Sequence, residues 1–286
     1  MKYPEIVITI KNPQQAESLI RSLRYIGHEV KIFPCHAAGA PSASCRSLVI
    51  TDDEDLSGAL HQRGIKVAGV RTEGSCPDGS FFKGADIVLT SLNAAQASYI
   101  SQAACRLFGI PNLIAETRRL LIRESTEDDF EVFWHLHQKH GTDRLTFSEQ
   151  LPAGREESRE KYFAYVHTAY RFYGFGLWTV LDKNSGRIIG RCGLSPQADR
   201  KDPDGRIEIG YLIAPGERRK GYGLEACRAI LKYAFETLEC EDVYARIHEE
   251  NYPSRILAGR LGFRRLTDMG DGTWLWKLEH NKYQGG

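Results

Sequence analysis

Apolar positions in the first third of the chain alternate between short continuous runs and stripes at helical spacing. Glu5 to Ile10 (EIVITI) reads as a strand. Gln14 to Tyr25 carries Ala16, Leu19, Ile20 and Leu23 on one helical face, and Gly27 sits where a helix stop is expected. His28 to Phe33 (HEVKIF) reads as a second strand, Pro41-Ser42-Ala43-Ser44 as a loop, and Ser47 to Thr51 (SLVIT) as a short buried strand. Asp52-Asp53-Glu54-Asp55 then supplies a cap and first-turn acids for a helix ending near Gly64. Ile65 to Val70 and Ala85 to Thr90 are further strands, and Asn93 to Phe108 is a last helix closed by Gly109-Ile110-Pro111. Strands alternating with helices predict βαβ units and a parallel sheet.

The pattern changes after a boundary near Asn112 to Arg118. Thr117 to Arg123 (TRRLLIR) opens a second α/β region. Ser125 or Thr126, followed by Glu127-Asp128-Asp129, caps a helix reaching about His140, and Arg155 to Phe172 forms another. Gly176 to Leu181 and Arg187 to Leu194 pair as a hairpin around Asn184-Ser185-Gly186. The charged run Arg200-Lys201-Asp202-Pro203-Asp204 reads as a solvated loop before the strand Arg206 to Ile213 (RIEIGYLI). A helix over Leu224 to Leu238, a strand over Asp242 to Ile247 and a helix over Pro253 to Leu261 follow, and the last strands run from Gly262-Phe263 to Trp274–Leu278. Two domains result, 1–112 and 117–281.

Composition changes this picture little. A length of 286 residues suits two domains, and 42% hydrophobic with 26% charged residues is ordinary for a soluble globular protein. A formal charge of +1 gives no case for nucleic acid as a partner. No apolar run approaches the ~18 residues a membrane span needs, and the N-terminus shows no signal-peptide pattern, so a cytoplasmic location is expected. Seven cysteines, an odd number without a CxxC, fit that expectation. Cys35-His36 with Cys45 matches no usual zinc spacing, and no metal is expected.

The candidate chemistry sits at Arg218-Arg219-Lys220-Gly221-Tyr222-Gly223, between a strand and a helix. Glycines let the backbone approach an anion closely, and the unpaired N–H groups of a first helical turn favour negative charge. The three cations add attraction at range. A diphosphate is therefore the expected ligand. There is no GxxxxGK[ST] run, and a dinucleotide GxGxxG would place Ala226 at its third glycine. The form [R/Q]xxGx[G/A] instead resembles the acetyl-CoA pyrophosphate loop of the GNAT N-acetyltransferases.

Further motifs carry the same resemblance. Thr117 to Arg123 resembles the opening TxRLxLR strand of the RimJ/RimL ribosomal-protein acetyltransferase type, with Ile122 in place of the second Leu. Glu208-Ile209-Gly210-Tyr211 and Asn251-Tyr252-Pro253-Ser254, followed by Leu261-Gly262-Phe263, match the family's EIGY and NxxS…LGF runs in order. The resemblance implies a mixed α/β domain around a mostly antiparallel sheet. It implies acetyl-CoA as cosubstrate and a primary amine, on a protein N-terminus or a small molecule, as acceptor.

The resemblance also implies roles. Arg218, Arg219, Lys220, Gly221, Tyr222, Gly223 and Leu224 would hold the diphosphate, and Leu212, Ile213 and Ala214 would offer backbone groups to the pantetheine arm. An N–H near Leu212 would polarise the thioester oxygen. Asn251 would bond the arm or cap the next helix, and Ser254 would donate to the leaving thiolate or stabilise that helix. Glu208 is the candidate base, with a structural strand carboxylate as the alternative. Many family members use a Tyr seven residues after the Asn; here Ala258 stands there, leaving Tyr252 or Tyr211 as substitutes. That alanine keeps a catalytically weak acyl-CoA-binding sensor as the alternative function. Aromatics on the first two helices of this domain, among them Trp134, Tyr162 and Phe163, read as core beside the acceptor pocket. Homo-oligomer formation is compatible with this reading.

The first domain resembles, over SLVITDDEDLSGALHQRGIKVAGV, the later βαβ portion of haloacid-dehalogenase-like hydrolases. That family's nucleophilic Asp follows its first strand, where this chain has Lys11-Asn12. The resemblance therefore implies a degenerate, HAD-like or Rossmannoid module that binds or assembles rather than hydrolyses.

Overall fold

The structure is a computed structural model that describes residues 3–33, 46–71, 82–139, 154–199 and 202–283. The loop expected at Pro41–Ser44, the Cys35-His36-Cys45 group, Cys76, Arg200 and Lys201 lie outside the described residues. The chain separates into two compact units, Met1–Asn112 and Leu113–Gly286.

The first unit contains β1 (Glu5–Thr9), α1 (Glu17–Ile26), β2 (Val30–Ile32), β3 (Ser47–Thr51), α2 (Glu54–Gln62), β4 (Lys66–Val70), β5 (Ile87–Leu89) and α3 (Ala97–Leu107). Its sheet runs β2-β1-β3-β4-β5, every pair parallel. All of β3 is buried because both sheet faces are covered. Ile6, Ile8, Leu48 and Ile50 pack with α1 and α3, while the alternate residues Val7, Val49 and Val67 pack with Leu60 of α2. Two expected punctuation marks are present. Gly27 adopts φ 116° to close α1, and the Asp53 carboxylate accepts the Leu56 N–H at 3.0 Å to cap α2. Asp52 accepts the Lys11 N–H, which ties the acidic cluster to the end of β1.

The second unit contains β6 (Leu113–Glu116), β7 (Leu120–Arg123), α4 (Phe130–Lys139), α5 (Arg155–Tyr173), β8 (Leu177–Asp182), β9 (Ile188–Asp199), β10 (Asp202–Ile213), α6 (Tyr222–Glu236), β11 (Asp242–His248), α7 (Tyr252–Arg260), β12 (Arg264–Asp268) and β13 (Thr273–Glu279). The sheet order is β12-β13-β11-β10-β9-β8-β7-β6. Each pair is antiparallel except β10 with β11. One face packs on α6, where Ala226, Cys227, Ile230 and Leu231 meet Trp178, Cys192, Leu194 and Ile209. On a separate cluster, Phe130 and Phe133 of α4 and Tyr162 of α5 gather with Ile188.

Two boundaries differ from the sequence reading. Residues 113–116, which lie inside the expected boundary at Asn112 to Arg118 and before the domain given as 117–281, form β6, and the second compact unit begins at Leu113. This short edge strand has no fully buried residue and hence no clear alternation. Asp202 to Asp204, read as loop, belong to β10, since pairing with β9 resumes at Asp202↔Asp199 despite the charges. The expected cap before α4 forms with more partners than the sequence suggested. Buried Asp129 takes both Arg123 guanidinium Nη atoms at 2.7 Å, the Thr126 N–H at 3.0 Å and the Thr179 hydroxyl at 2.8 Å.

Candidate functional site

A cleft of about 700 Å³ lies where the end of β10, the turn into α6 and the start of α7 meet. The turn into α6 is shaped by its backbone. Gly221 is the N-cap at φ 83°, and Arg219 adopts φ 61°, a left-handed conformation unusual without glycine. No side chain caps α6, so the N–H groups of its first turn face the cleft without intrahelical partners. A Cβ on Gly223 would stand in ordinary contact with Leu257 and Ile213, in the floor of this cradle.

Arg218 and Lys220 are each held by a partner beside the turn. Arg218 Nε donates to the Ile213 carbonyl at 3.0 Å, and Lys220 Nζ pairs with Glu217 at 2.8 Å. Hydrogen bonding from Lys220 is the main cause that holds the Glu217 carboxyl below its ordinary value. Arg119, just before β7, is the residue that the sequence reading missed. Its Nη1 donates to the Lys220 carbonyl at 3.0 Å, its Nε pairs with Glu225 at 2.7 Å, and its guanidinium lies 4.4 Å from the Tyr222 ring centre. Glu225 also accepts the Thr117 hydroxyl at 2.7 Å and the Arg119 N–H at 2.9 Å. Partial burial pushes the Glu225 carboxyl up, but these hydrogen bonds outweigh it and hold it below the usual carboxylate range. In sequence, Thr117 to Arg123 reads as an entry strand of the family type, and nothing in that motif points to α6.

The second element is a seam in the sheet. β10 and β11 pair at Glu208↔Tyr244 alone, so the two strands part beyond that point. Which β10 groups face the gap follows from the other side. The Ala214 N–H donates to the Ile189 carbonyl at 2.8 Å, and Leu212 stands opposite Arg191. Antiparallel alternation then commits the Leu212 N–H to β9 and turns the Tyr211 and Ile213 backbones to the gap. The N–H groups near Leu212 that face the gap are therefore those of Tyr211 and Ile213. The Leu212 side chain still lines the cleft, as do Ile213, Arg218, Arg219, Gly221, Tyr222, Gly223 and Leu224, whereas Lys220 does not.

The remaining candidates divide. Asn251 and Ser254 line the cleft, and Asn251 Oδ1 accepts the Ser254 N–H at 3.2 Å as cap of α7. Tyr252 points outward, 65% exposed, under the Arg255 guanidinium. Tyr211 is largely buried, and its hydroxyl reaches the Ser254 carbonyl at 3.4 Å. Glu208 is 8% exposed, outside the cleft lining, and paired with Arg246 at 2.8 Å. Burial pushes its carboxyl above the ordinary value, and Arg246 offsets only part of that.

Residues 119–264, slightly more than half of the chain, match the family model described as Acetyltransferase (GNAT) domain. The chain belongs to the GNAT acetyltransferase family. YkkB of Bacillus subtilis, an uncharacterized protein, is 36% identical over 90 residues, which cover 32% of this chain and 51% of that protein. The GNAT chain thus spans about half the length of that relative. YoaA of the same organism, an uncharacterized N-acetyltransferase, is 26% identical over 155 residues, 53% of this chain and 83% of that protein. A solved structure from Bordetella pertussis, provisionally a GnaT-family acetyltransferase, covers 58% of this chain and 99% of its own at a TM-score of 0.51 and 22% identity, a likeness of fold. The model match lies within the second unit, so the dehalogenase-like reading of the first remains a proposal. Among the described residues no helix is long and apolar enough to cross a membrane, and no three His, Cys, Asp or Glu side chains converge as metal ligands.

Proposed function

We propose that the second unit transfers an acetyl group from acetyl-CoA to a primary amine by direct attack in a ternary complex. One observation carries this reading: the uncapped N-terminus of α6 and the gap between β10 and β11 open into a single cleft. The first-turn N–H groups of α6, with Arg218 and Arg219, suit a diphosphate. The Tyr211 and Ile213 backbones suit an extended amide-bearing arm, as in strand addition. The Tyr211 N–H, nearest the point where the strands part, suits polarisation of a thioester oxygen. Among the lining residues, Ser254 is the aliphatic hydroxyl suited to donate to a leaving thiolate, beside Tyr211 and Tyr222. Acetyl-CoA supplies the activated acyl group; the chain supplies orientation and charge.

The acceptor amine must be neutral to attack. An α-amine (pKa ~8) needs less help than a lysine amine (pKa ~10.4), so protein N-termini and small α-amines are the favoured acceptors. Glu208 is the proposed proton acceptor, acting through water from its paired position. Glu208→Gln is expected to lower kcat about 100-fold at neutral pH with acetyl-CoA affinity unchanged. It also removes a pH dependence of stability. Because the folded-state carboxyl is raised, its ionisation costs stability as pH rises from the ordinary value through the raised one, and the variant loses that decline.

Arg119→Ala is expected to weaken acetyl-CoA binding about tenfold, the scale of one charge-assisted hydrogen bond. Glu225→Gln should do the same, and the pair should be less than additive by titration calorimetry. The deciding experiment for the function is an amine panel with acetyl-CoA and thiol release as readout. Tight acetyl-CoA binding with no amine-dependent thiol release would leave the second reading, an acyl-CoA sensor. Ala258 favours that alternative, since it fills the family's tyrosine position with a buried methyl group.

A further inference from the structure

Arg191, in the middle of β9, is 7% exposed. Its guanidinium carbon lies 4.9 Å from the ring centre of Phe133, 5.8 Å from Tyr162 and 5.9 Å from Tyr165. Among the described residues no carboxylate pairs with it, and its buried Nε has no hydrogen-bond acceptor. The buried carboxylate of Asp129 is committed to Arg123, Thr126 and Thr179.

A guanidinium keeps its charge at any working pH, and withdrawing it from water without an anion is strongly unfavourable. Three aromatic neighbours offset part of that cost. They do not supply the acceptors that its N–H groups require. The position matters as well. Arg191 stands opposite Leu212, and Glu208 lies four pairs further along, opposite Ser195. Directly opposed residues share a face, and so do residues two apart along a strand. Arg191 and Glu208 therefore lie on one face of the sheet, opposite to that of Cys192, which packs against Cys227 of α6. This is the face of α4 and α5, the two helices whose aromatics the family resemblance sets beside the acceptor pocket.

We infer that Arg191 is the receptor for a carboxylate borne by the amine acceptor, an inference that rests on the acetyl-transfer reading. The substrate class is then an amino acid, or a peptide N-terminus with an acidic side chain. Rings around the guanidinium favour a planar anion that takes two parallel N–H donors, as a carboxylate does.

The test uses the full chain and matched acceptors. Free amino acids are compared with their carboxamides, and dipeptides with Asp or Glu second with their Asn or Gln counterparts. Whichever pair shows the acid preference identifies the source of the carboxylate. The wild type is expected to favour the acid by about 30-fold in kcat/KM, through KM. Arg191→Gln should abolish that preference, Arg191→Lys should keep part of it, and both should bind acetyl-CoA unchanged. A second arm needs no turnover: amino acids, but not their carboxamides, should raise the Tm of the wild type and not of Arg191→Gln. Should no amine release thiol while this Tm shift appears, the acetyl-transfer reading fails and the carboxylate receptor stands. Equal kcat/KM for acid and amide in the wild type, or a preference that survives in Arg191→Gln, overturns the inference. So does the absence of both the preference and the Tm shift. Arg191→Met separates a structural role: removal of an uncompensated charge should leave Tm level or higher, and a fall beyond about 5 °C would mark Arg191 as a packing residue.

Discussion

Gly221→Glu is expected to abolish the proposed acetyl-CoA binding, with a loss of at least about 100-fold in affinity by calorimetry and an unchanged far-UV spectrum. Three effects act in the same direction. Gly221 sits at φ 83°, where an L side chain costs roughly 1–2 kcal/mol. A Cβ there would come within 3.3 Å of Arg119 Nη2, on the guanidinium whose Nη1 donates to the Lys220 carbonyl. The added carboxylate would cap the first turn of α6 from within and place negative charge where the diphosphate is proposed to sit. Gly221→Ala isolates the first two effects and should lose much less. If Gly221→Glu bound acetyl-CoA like the wild type, the cradle would be assigned to the wrong turn.

Asp129→Ala should destabilise the second unit by about 3–5 kcal/mol, a drop of roughly 10 °C in Tm. The carboxylate is 2% exposed and holds four donors on three segments: Arg123 at the end of β7, the Thr126 N–H and Thr179 in β8. Its removal leaves the half-buried Arg123 guanidinium without its anion and opens the turn into α4. The double variant Arg123→Met with Asp129→Ala should recover part of the loss, because it removes the stranded charge rather than the pair. Equal stability of the single and double variants in urea titration would show that the hydroxyl and N–H contacts, not the ion pair, carry the effect.

The contrast between these two sites shows what could be read from residues alone. The α6 cradle was legible because its signal is local: strand, basic turn, glycines and helix lie within one continuous stretch. The parallel sheet of the first unit was legible for the same reason, since β3 is an unbroken buried run. What escaped was set by pairing between distant segments. Arg119 reaches Lys220 and Glu225 across more than a hundred residues, and no spacing rule reports that. Which N–H near Leu212 faces the gap was hidden for a related reason. Alternation along β10 is visible in sequence, but its phase is fixed only by the bond from Ala214 to Ile189. β6 was hidden by exposure, as an edge strand need not show a buried stripe.

The seam beside β10 also sets how the interior of the sheet breathes. Although β10 lies between β9 and β11 in the eight-stranded order, its register with β11 is a single pair at Glu208↔Tyr244, so the Tyr211 and Ile213 amides face β11 beyond that pair, while Leu212 and Ala214 are turned to β9. Amide hydrogen exchange along this strand should therefore alternate, with Tyr211 and Ile213 fast and their neighbours slow. The centre of the sheet would then exchange like a rim, and filling the gap should slow those two amides more than any others.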